Sequence, residues 1–144
     1  MAVEHADTQV LGDPMTVPLF NVWKEFRFDA AHQLDAGPGG DPRYRRLHGH
    51  SYQVEVWVRG PRTEFGWVVD MGDLERRLQA VHADLDHRFL NEVEELGPPT
   101  MENIAAFVWA KLVDLPQLHR VMVKRQQNGE GCEYYGPQAL EAEA

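Results

Sequence analysis

Cysteine is nearly missing from this chain. Cys132 is the only one in 144 residues, and a lone thiol excludes an intrachain disulfide framework. Cations are scarce as well: Lys and Arg number 14 against 23 Asp and Glu, a formal net charge of −9. That deficit argues against nucleic acid as the main partner, because binding a phosphate backbone needs clustered Lys and Arg. The one basic cluster, Arg43 to Arg46, is short and interrupted by Tyr44, which suits a local loop feature. No stretch approaches the ~20 apolar residues of a transmembrane helix. The acidic start MAVEHADTQV lacks the basic-then-apolar order of a secretory signal. These absences lead us to expect a cytoplasmic protein with no membrane partner.

What is present points to one globular domain. Hydrophobic residues make up 43% and charged residues 26%, a balance that allows a core rather than disorder. Residues 1–20 hold Gly12, Pro14 and Pro18 without a sustained period, and are expected to form a flexible extension. Residues 21–137 are expected to form the domain, and residues 138–144 an acidic tail.

Within the domain the hydrophobic period changes twice. VWKEFRFDAAH from Val22 alternates, with Phe26 and Phe28 on one side and Lys24, Glu25 and Arg27 mostly outside, so it suggests a strand. DAGPGGDPR is a loop, punctuated by Gly and Pro. HSYQVEVWVRG suggests a second strand, and GPRTEFG the turn after it. From Asp70 the spacing becomes helical: Leu74, Leu78, Val81 and Leu85 form a stripe, with Asp70 as cap and Asp73 in the first turn. LDHRFLNEVEELGPP follows as a loop. Thr100 then caps a second helix, with Glu102 in its first turn and Ile104, Phe107, Val108 and Leu112 as its apolar stripe. VMV at 121–123 suggests a third strand, Gly129 and Gly131 a turn, and CEYYG a fourth strand. The order ββααββ predicts an α+β fold, a four-stranded antiparallel sheet with both helices on one face.

Chemistry concentrates in histidines. His48 and His50 sit two apart at a strand start, so their side chains share a face, and Gly49 between them lets the backbone bend both rings onto one ion. His32 ends the preceding strand. Three neutral imidazoles with one open position is the donor set of a catalytic zinc, although other divalent ions accept it too. On spacing alone, ordinary surface or core histidines remain an open reading. His5, His82 and His119 have no comparable company and are expected to be solvated. Asp86 and His87 adjoin, and a carboxylate beside an imidazole orients it and raises its basicity for acid–base work. The plainer alternative is that Asp86 caps a turn and His87 is exposed.

FDAAH, LHGHSYQVEV, GWVVDMGDL, LDHRFLN and PPTMENIA, in this order and at these intervals, resemble the 6-pyruvoyltetrahydropterin synthase and 6-carboxytetrahydropterin synthase family, from about Trp23 to Gly136. The resemblance implies the tunnelling fold, in which trimeric barrels stack into a homohexamer with active sites between subunits. It implies His32, His48 and His50 as zinc ligands, and Asp86 with His87 as a catalytic pair relaying a proton. Thr100 and Glu102 match a stretch lining the pterin pocket, contributed by a neighbouring subunit. Asp70 matches a structural position, as a helix cap. The expected activity is that of a zinc-dependent lyase acting on the side chain of a reduced pterin such as 7,8-dihydroneopterin triphosphate, with pathways such as queuosine or biopterin synthesis left open.

Two departures from the family pattern stand out. Where the family has a catalytic cysteine before HGH, DPRYRRLHGH places Tyr44; a phenol near pKa 10 takes a proton less readily than a thiol near 8.5. Where the family's late strand carries a glutamate that pairs with the pterin's amino edge, VMVKRQQ places Arg125. A donor-only guanidinium favours a carbonyl-rich or anionic ring instead. Glu130 or Glu133 is the candidate to replace that glutamate, should a turn one residue longer shift the register. Two alternatives stay open: a paralogue with the same zinc site acting on a different, anionic heterocycle, and a non-catalytic zinc- or pterin-binding protein.

Overall fold

The computed structural model describes residues 16–138 and Leu140. Residues 1–15 of the expected flexible extension, with His5 among them, and residues 139 and 141–144 of the expected acidic tail lie outside the described residues.

Two long strands, β1 (Phe20–His32) and β2 (His48–Gly60), pair antiparallel without interruption from Phe20↔Gly60 to His32↔His48. Side chains alternate across a strand, so the even-numbered residues of both strands share one face. Phe28, Ala30, Tyr52, Val54, Val56 and Val58 are buried there. β3 (Leu118–Arg125) adds to β2, and β4 (Glu130–Tyr134) adds to β3, giving the sheet order β1-β2-β3-β4. Between the strand pairs run α1 (Met71–Leu85), packed on β1, and α2 (Met101–Lys111), packed on β3 and β4. The architecture is the expected ββααββ.

Each helix begins on the residue that its sequence marks. Asp70 accepts the Gly72 amide at 2.8 Å, and Thr100 accepts the Asn103 amide at 3.1 Å. Leu74, Leu78, Val81 and Leu85 are all buried. Burying one such aliphatic contributes about 1.5–3 kcal/mol, whereas helix propensities differ by at most ~0.7 kcal/mol among ordinary residues. The stripe therefore decides how α1 lies.

Three local expectations change. Lys24 shares the helix-facing side of β1 and reaches Glu75 of α1 at 3.9 Å; its long stem lies along apolar surface while the ammonium stays wet. β3 extends well beyond VMV, because the residues flanking it continue the ladder with β2. β4 begins at Glu130, two residues before CEYYG, so Gly131 belongs to the strand. A Cβ on Gly131 would stand 3.0 Å from the Val123 carbonyl oxygen, so close strand approach explains this glycine. The reversal itself is the 3-10 turn Gln126–Asn128, closed by Gly129 at φ 68°.

Among the described residues, the opposite face of the sheet carries no helix. Trp23 stacks on Trp57 at 4.6 Å, Arg120 lies 4.0 Å over the Trp57 ring, and Glu55 takes bonds from Trp57 and Lys124. Among the described residues, no helix is long and apolar enough to cross a membrane.

Candidate active site

The β1–β2 ladder ends at the rung His32↔His48, and His50 stands on the same face one step back, opposite Ala30. One ring nitrogen from each of the three histidines falls within 4.8 Å of the others. His32 is 1% exposed, and its Nδ1–H donates to the Pro99 carbonyl at 2.9 Å. His48 Nδ1–H donates to the Arg46 carbonyl at 2.6 Å. Both rings must then turn a bare Nε2 lone pair inward, yet those two atoms are only 2.9 Å apart. Two lone pairs facing each other at that distance repel unless a cation lies between them. With bonds of 2.0–2.1 Å, tetrahedral zinc sets ligand nitrogens about 3.3 Å apart, so a small outward shift of the rings accommodates it. Carbonyls behind metal-binding imidazoles fix the tautomer in this way. Burial lowers the His32 pKa, and burial with the charge of Arg125 lowers that of His50 to about 4, so both rings are neutral near neutral pH and keep a lone pair that could bind a metal. The donor set fits a divalent ion of the zinc type.

Gly49 works differently from the expected bend. It sits in regular strand pairing opposite Ala31, and a Cβ there would approach the Ala30 carbonyl oxygen at 3.0 Å. The glycine is needed for close approach of β1, which keeps the triad's ladder tight.

The segment after α1 lies alongside β1. Asp86 caps α1, and its Oδ1 accepts the Asp29 amide at 3.1 Å. The His87 amide donates to the Asp29 carbonyl at 2.8 Å, and the Ala31 amide to the Arg88 carbonyl at 3.1 Å. Asn91 then clamps Gln33 in both directions, at 2.9 Å each. Held so, His87 adopts φ 56° and sets its Nδ1 2.8 Å from Asp86 Oδ2 as an ion pair. The Asp29 amide, then His87, keep the Asp86 carboxyl below its usual range, and Asp86 raises the His87 pKa. His87 is 80% exposed. Asp86 caps the helix and His87 is exposed, as the plainer alternative expects, and the carboxylate lies beside the imidazole.

His50 and His87 border one cleft of about 630 Å³, with Asp29, Arg88, Phe89 and Arg125 among its other walls. That size suits a small-molecule site. Arg125, the last residue of β3, points its Nη1 at His50 Nε2, 3.3 Å away. Its Nε lies 2.9 Å from Glu130 Oε1, an ion pair without hydrogen-bond alignment. Beneath them the Tyr52 hydroxyl is buried beside Arg125 with no aligned hydrogen bond among the described residues, and burial, only partly offset by Arg125, pushes its pKa up to about 12.

Comparison with known proteins places this arrangement. The family model "6-pyruvoyl tetrahydropterin synthase" matches residues 21–137. The chain belongs to the 6-pyruvoyl tetrahydropterin synthase family. It is 43% identical over 110 residues to a 6-carboxy-5,6,7,8-tetrahydropterin synthase of Synechocystis sp., covering 71% of this chain and 83% of that one. It is 35% identical over 108 residues to a dihydroneopterin monophosphate aldolase of Pyrococcus furiosus, covering 74% and 86%. The solved 6-pyruvoyl tetrahydropterin synthase of Caenorhabditis elegans superposes with a TM-score of 0.72 at 25% identity, covering 84% of this chain and 98% of that one.

In this member of the 6-pyruvoyl tetrahydropterin synthase family, the remaining predicted site residues are dispersed. Tyr44 sits on the 3-10 turn Pro42–Arg45, 45% exposed, and does not line the cleft. Thr100 and Glu102 open α2, and neither borders the cleft of its own chain. Glu130 shares the Arg125 side of the sheet, whereas Glu133 lies on the opposite face, 3.5 Å from Arg120 and bonded by the Tyr135 hydroxyl. Strand alternation makes this split unavoidable, since the two glutamates differ in parity. Cys132 packs half-buried against the core, and burial raises its pKa. His82, expected to be solvated, leans its edge on Phe26 and lies 3.7 Å from Asp86. Sequence reading missed the roles of Asp29 and Pro99, which act through backbone groups, and of Asn91, which acts through its side-chain amide, although all three lie within FDAAH, PPTMENIA and LDHRFLN.

Proposed function

We propose that the chain is a zinc-dependent lyase acting on the side chain of a reduced pterin of the 7,8-dihydroneopterin triphosphate kind. One observation carries this reading: three imidazole nitrogens converge beside a cleft that also presents His87 held by Asp86. Zinc held by His32, His48 and His50 supplies a Lewis acid that polarises side-chain oxygens and acidifies a neighbouring C–H. With Nδ1 held against Asp86, His87 keeps Nε2 for taking a proton from the side chain and returning it. Asp29 holds that pair in register from β1.

The working form is proposed as a homohexamer of two stacked trimers. Support comes from the sheet edges, β4 and the part of β1 before Asp29, which have no ladder partner among the described residues, since unpaired strands are templates for pairing with another chain. Thr100 and Glu102 then face a neighbouring subunit's pterin rather than their own. The product is the 6-carboxy or 6-pyruvoyl compound, or a shortened side chain from retro-aldol cleavage.

A second reading is favoured by Arg125. Glu130 is engaged by this guanidinium, and Glu133 lies across the sheet, so neither glutamate is ready to accept from a pterin's amino edge. This reading keeps the metal and the acid–base pair but changes the ring to one with an acceptor-rich or anionic edge.

The deciding experiment incubates the zinc-loaded protein with 7,8-dihydroneopterin triphosphate and follows it by liquid chromatography and mass spectrometry. Consumption with loss of side-chain atoms is expected. Full zinc occupancy without consumption of any reduced pterin would leave a metal-bearing binding protein.

A further inference from the structure

The chain is strongly acidic overall, at a net charge of −9, yet its main cleft is not. Arg88, Arg125, His50 and His87 all border it, and Asp29 is the one acidic residue among its walls. The Asp29 carboxylate is itself engaged by the Ser51 hydroxyl. A protein short of cations has placed two arginines where a ligand would enter, and such focusing attracts anions.

Arg125 is fixed in that wall. Glu130 holds its Nε edge, and Nη1 reaches to 3.3 Å from Nε2 of His50, a member of the three-histidine cluster. A divalent ion on either nitrogen of the neutral His50 ring leaves Nε2 without a free lone pair, and the Arg125 N–H loses its acceptor. A guanidinium cannot itself accept or lose its charge, so it cannot serve as a further ligand. Left alone, two positive centres this close repel. Both are relieved by one group: an oxyanion against the guanidinium and the ion together. The planar fork of arginine suits a carboxylate, and such charge-assisted bonds are roughly twice as strong as neutral ones.

We propose that Arg125 couples metal binding to anion binding, so that the cleft takes a ligand whose carboxylate lies against both the guanidinium and the three-histidine centre. The proposal rests on the metal reading of His32, His48 and His50 and extends it to the class of ligand. Arg125 acts as an anion-binding residue beside the metal. Metal and carboxylate then raise each other's affinity by the same factor, since coupling between two sites is reciprocal.

Cobalt(II), whose visible spectrum reports its coordination, is the probe metal, and acetate is the probe anion. Wild type, Arg125→Gln and Arg125→Lys are each loaded with cobalt and titrated with acetate. Acetate is expected to bind the wild type about tenfold more tightly than Arg125→Gln, as loss of one charge-assisted contact implies, with Arg125→Lys in between because it keeps the charge. Without acetate, Arg125→Gln is expected to bind cobalt more tightly than wild type, since a like charge has gone. Equal acetate affinity in wild type and Arg125→Gln, with cobalt stoichiometric in both, overturns the coupling and leaves the metal site standing. Cobalt that fails to bind wild type, or binds His48→Ala equally well, overturns the metal reading and this inference with it.

Discussion

Asp86 accepts the backbone amide of Asp29 at 3.1 Å across 57 residues of sequence, and this contact, with the bonds His87–Asp29 and Ala31–Arg88, ties the end of α1 to the strand that carries His32. It turns the exposed dipeptide Asp86–His87 into a fixed one. Asp86→Asn keeps an acceptor for the Asp29 amide but removes the charge beside His87. The His87 pKa, followed by NMR titration, is expected to fall back toward 6.5, its ordinary value. The same pair sets a stability window. His87 binds its proton more tightly when folded, so its contribution is complete below 6.5 and fades as pH rises through the raised folded value. Asp86 contributes above 3.8 and loses that contribution as pH falls through its lowered folded value. Thermal melts of wild type and Asp86→Asn should therefore differ most between these two limits. A constant difference at every pH would contradict the pairing.

His48→Ala leaves two imidazoles, one of them buried. Zinc affinity should drop by on the order of 100-fold or more, read by competition with a chromophoric chelator. Stoichiometric zinc retained after dialysis would refute the ligand assignment.

His87→Ala and Tyr44→Phe separate the two candidate proton carriers. Removing a positioned general acid–base costs typically 10²–10⁴-fold, and we expect that loss in turnover for His87→Ala. Tyr44 is 45% exposed on its turn and outside the cleft, so Tyr44→Phe should keep turnover within about twofold. A large loss for Tyr44→Phe would assign the phenol a role after all.

Much of this was legible in the residues. The strand and helix periods, both caps and the helix order follow from Phe26 to Val58 and from Asp70 to Leu112, where local pattern and tertiary packing agree. The histidine convergence was legible because period-two alternation fixes which side chains share a face. What escaped was non-local or carried by the backbone. The Asp29 amide and the Pro99 carbonyl have no side-chain signature, the Asn91 side chain meets a partner 58 residues away, and the side taken by Glu130 and Glu133 depended on where a turn closed. Gly129 at φ 68° set that point, and two nearby glycines made it ambiguous from composition alone.

Gly49→Ala tests the close approach of β1 to β2. Its Cβ would meet a backbone oxygen at 3.0 Å, which cannot swing aside as a flexible side chain would. Overpacking of this kind costs about 1–3 kcal/mol. Denaturant melts should register that loss, together with weaker zinc binding as the His32↔His48 rung shifts.

Thr100→Ala removes the α2 cap, worth ~1 kcal/mol, while the Pro99 carbonyl that orients His32 remains. Stability should fall by that amount with zinc content unchanged. KM for the true substrate should rise, if the α2 start also lines a neighbour's pocket; an unaltered KM would leave Thr100 as a cap alone.

The rungs His32↔His48 and Ala30↔His50 belong to an unbroken ladder, so the geometry of the triad is set by strand register. Gln33 is clamped by Asn91 and the Arg46 carbonyl orients His48, so it is residues 34–45 that only have to join the two strand ends. Each doubling of such a connection costs only about 0.6 kcal/mol in closure entropy. This segment is accordingly the place where insertions, grafts or a rebuilt rim can be introduced while the ion's three donors keep their positions.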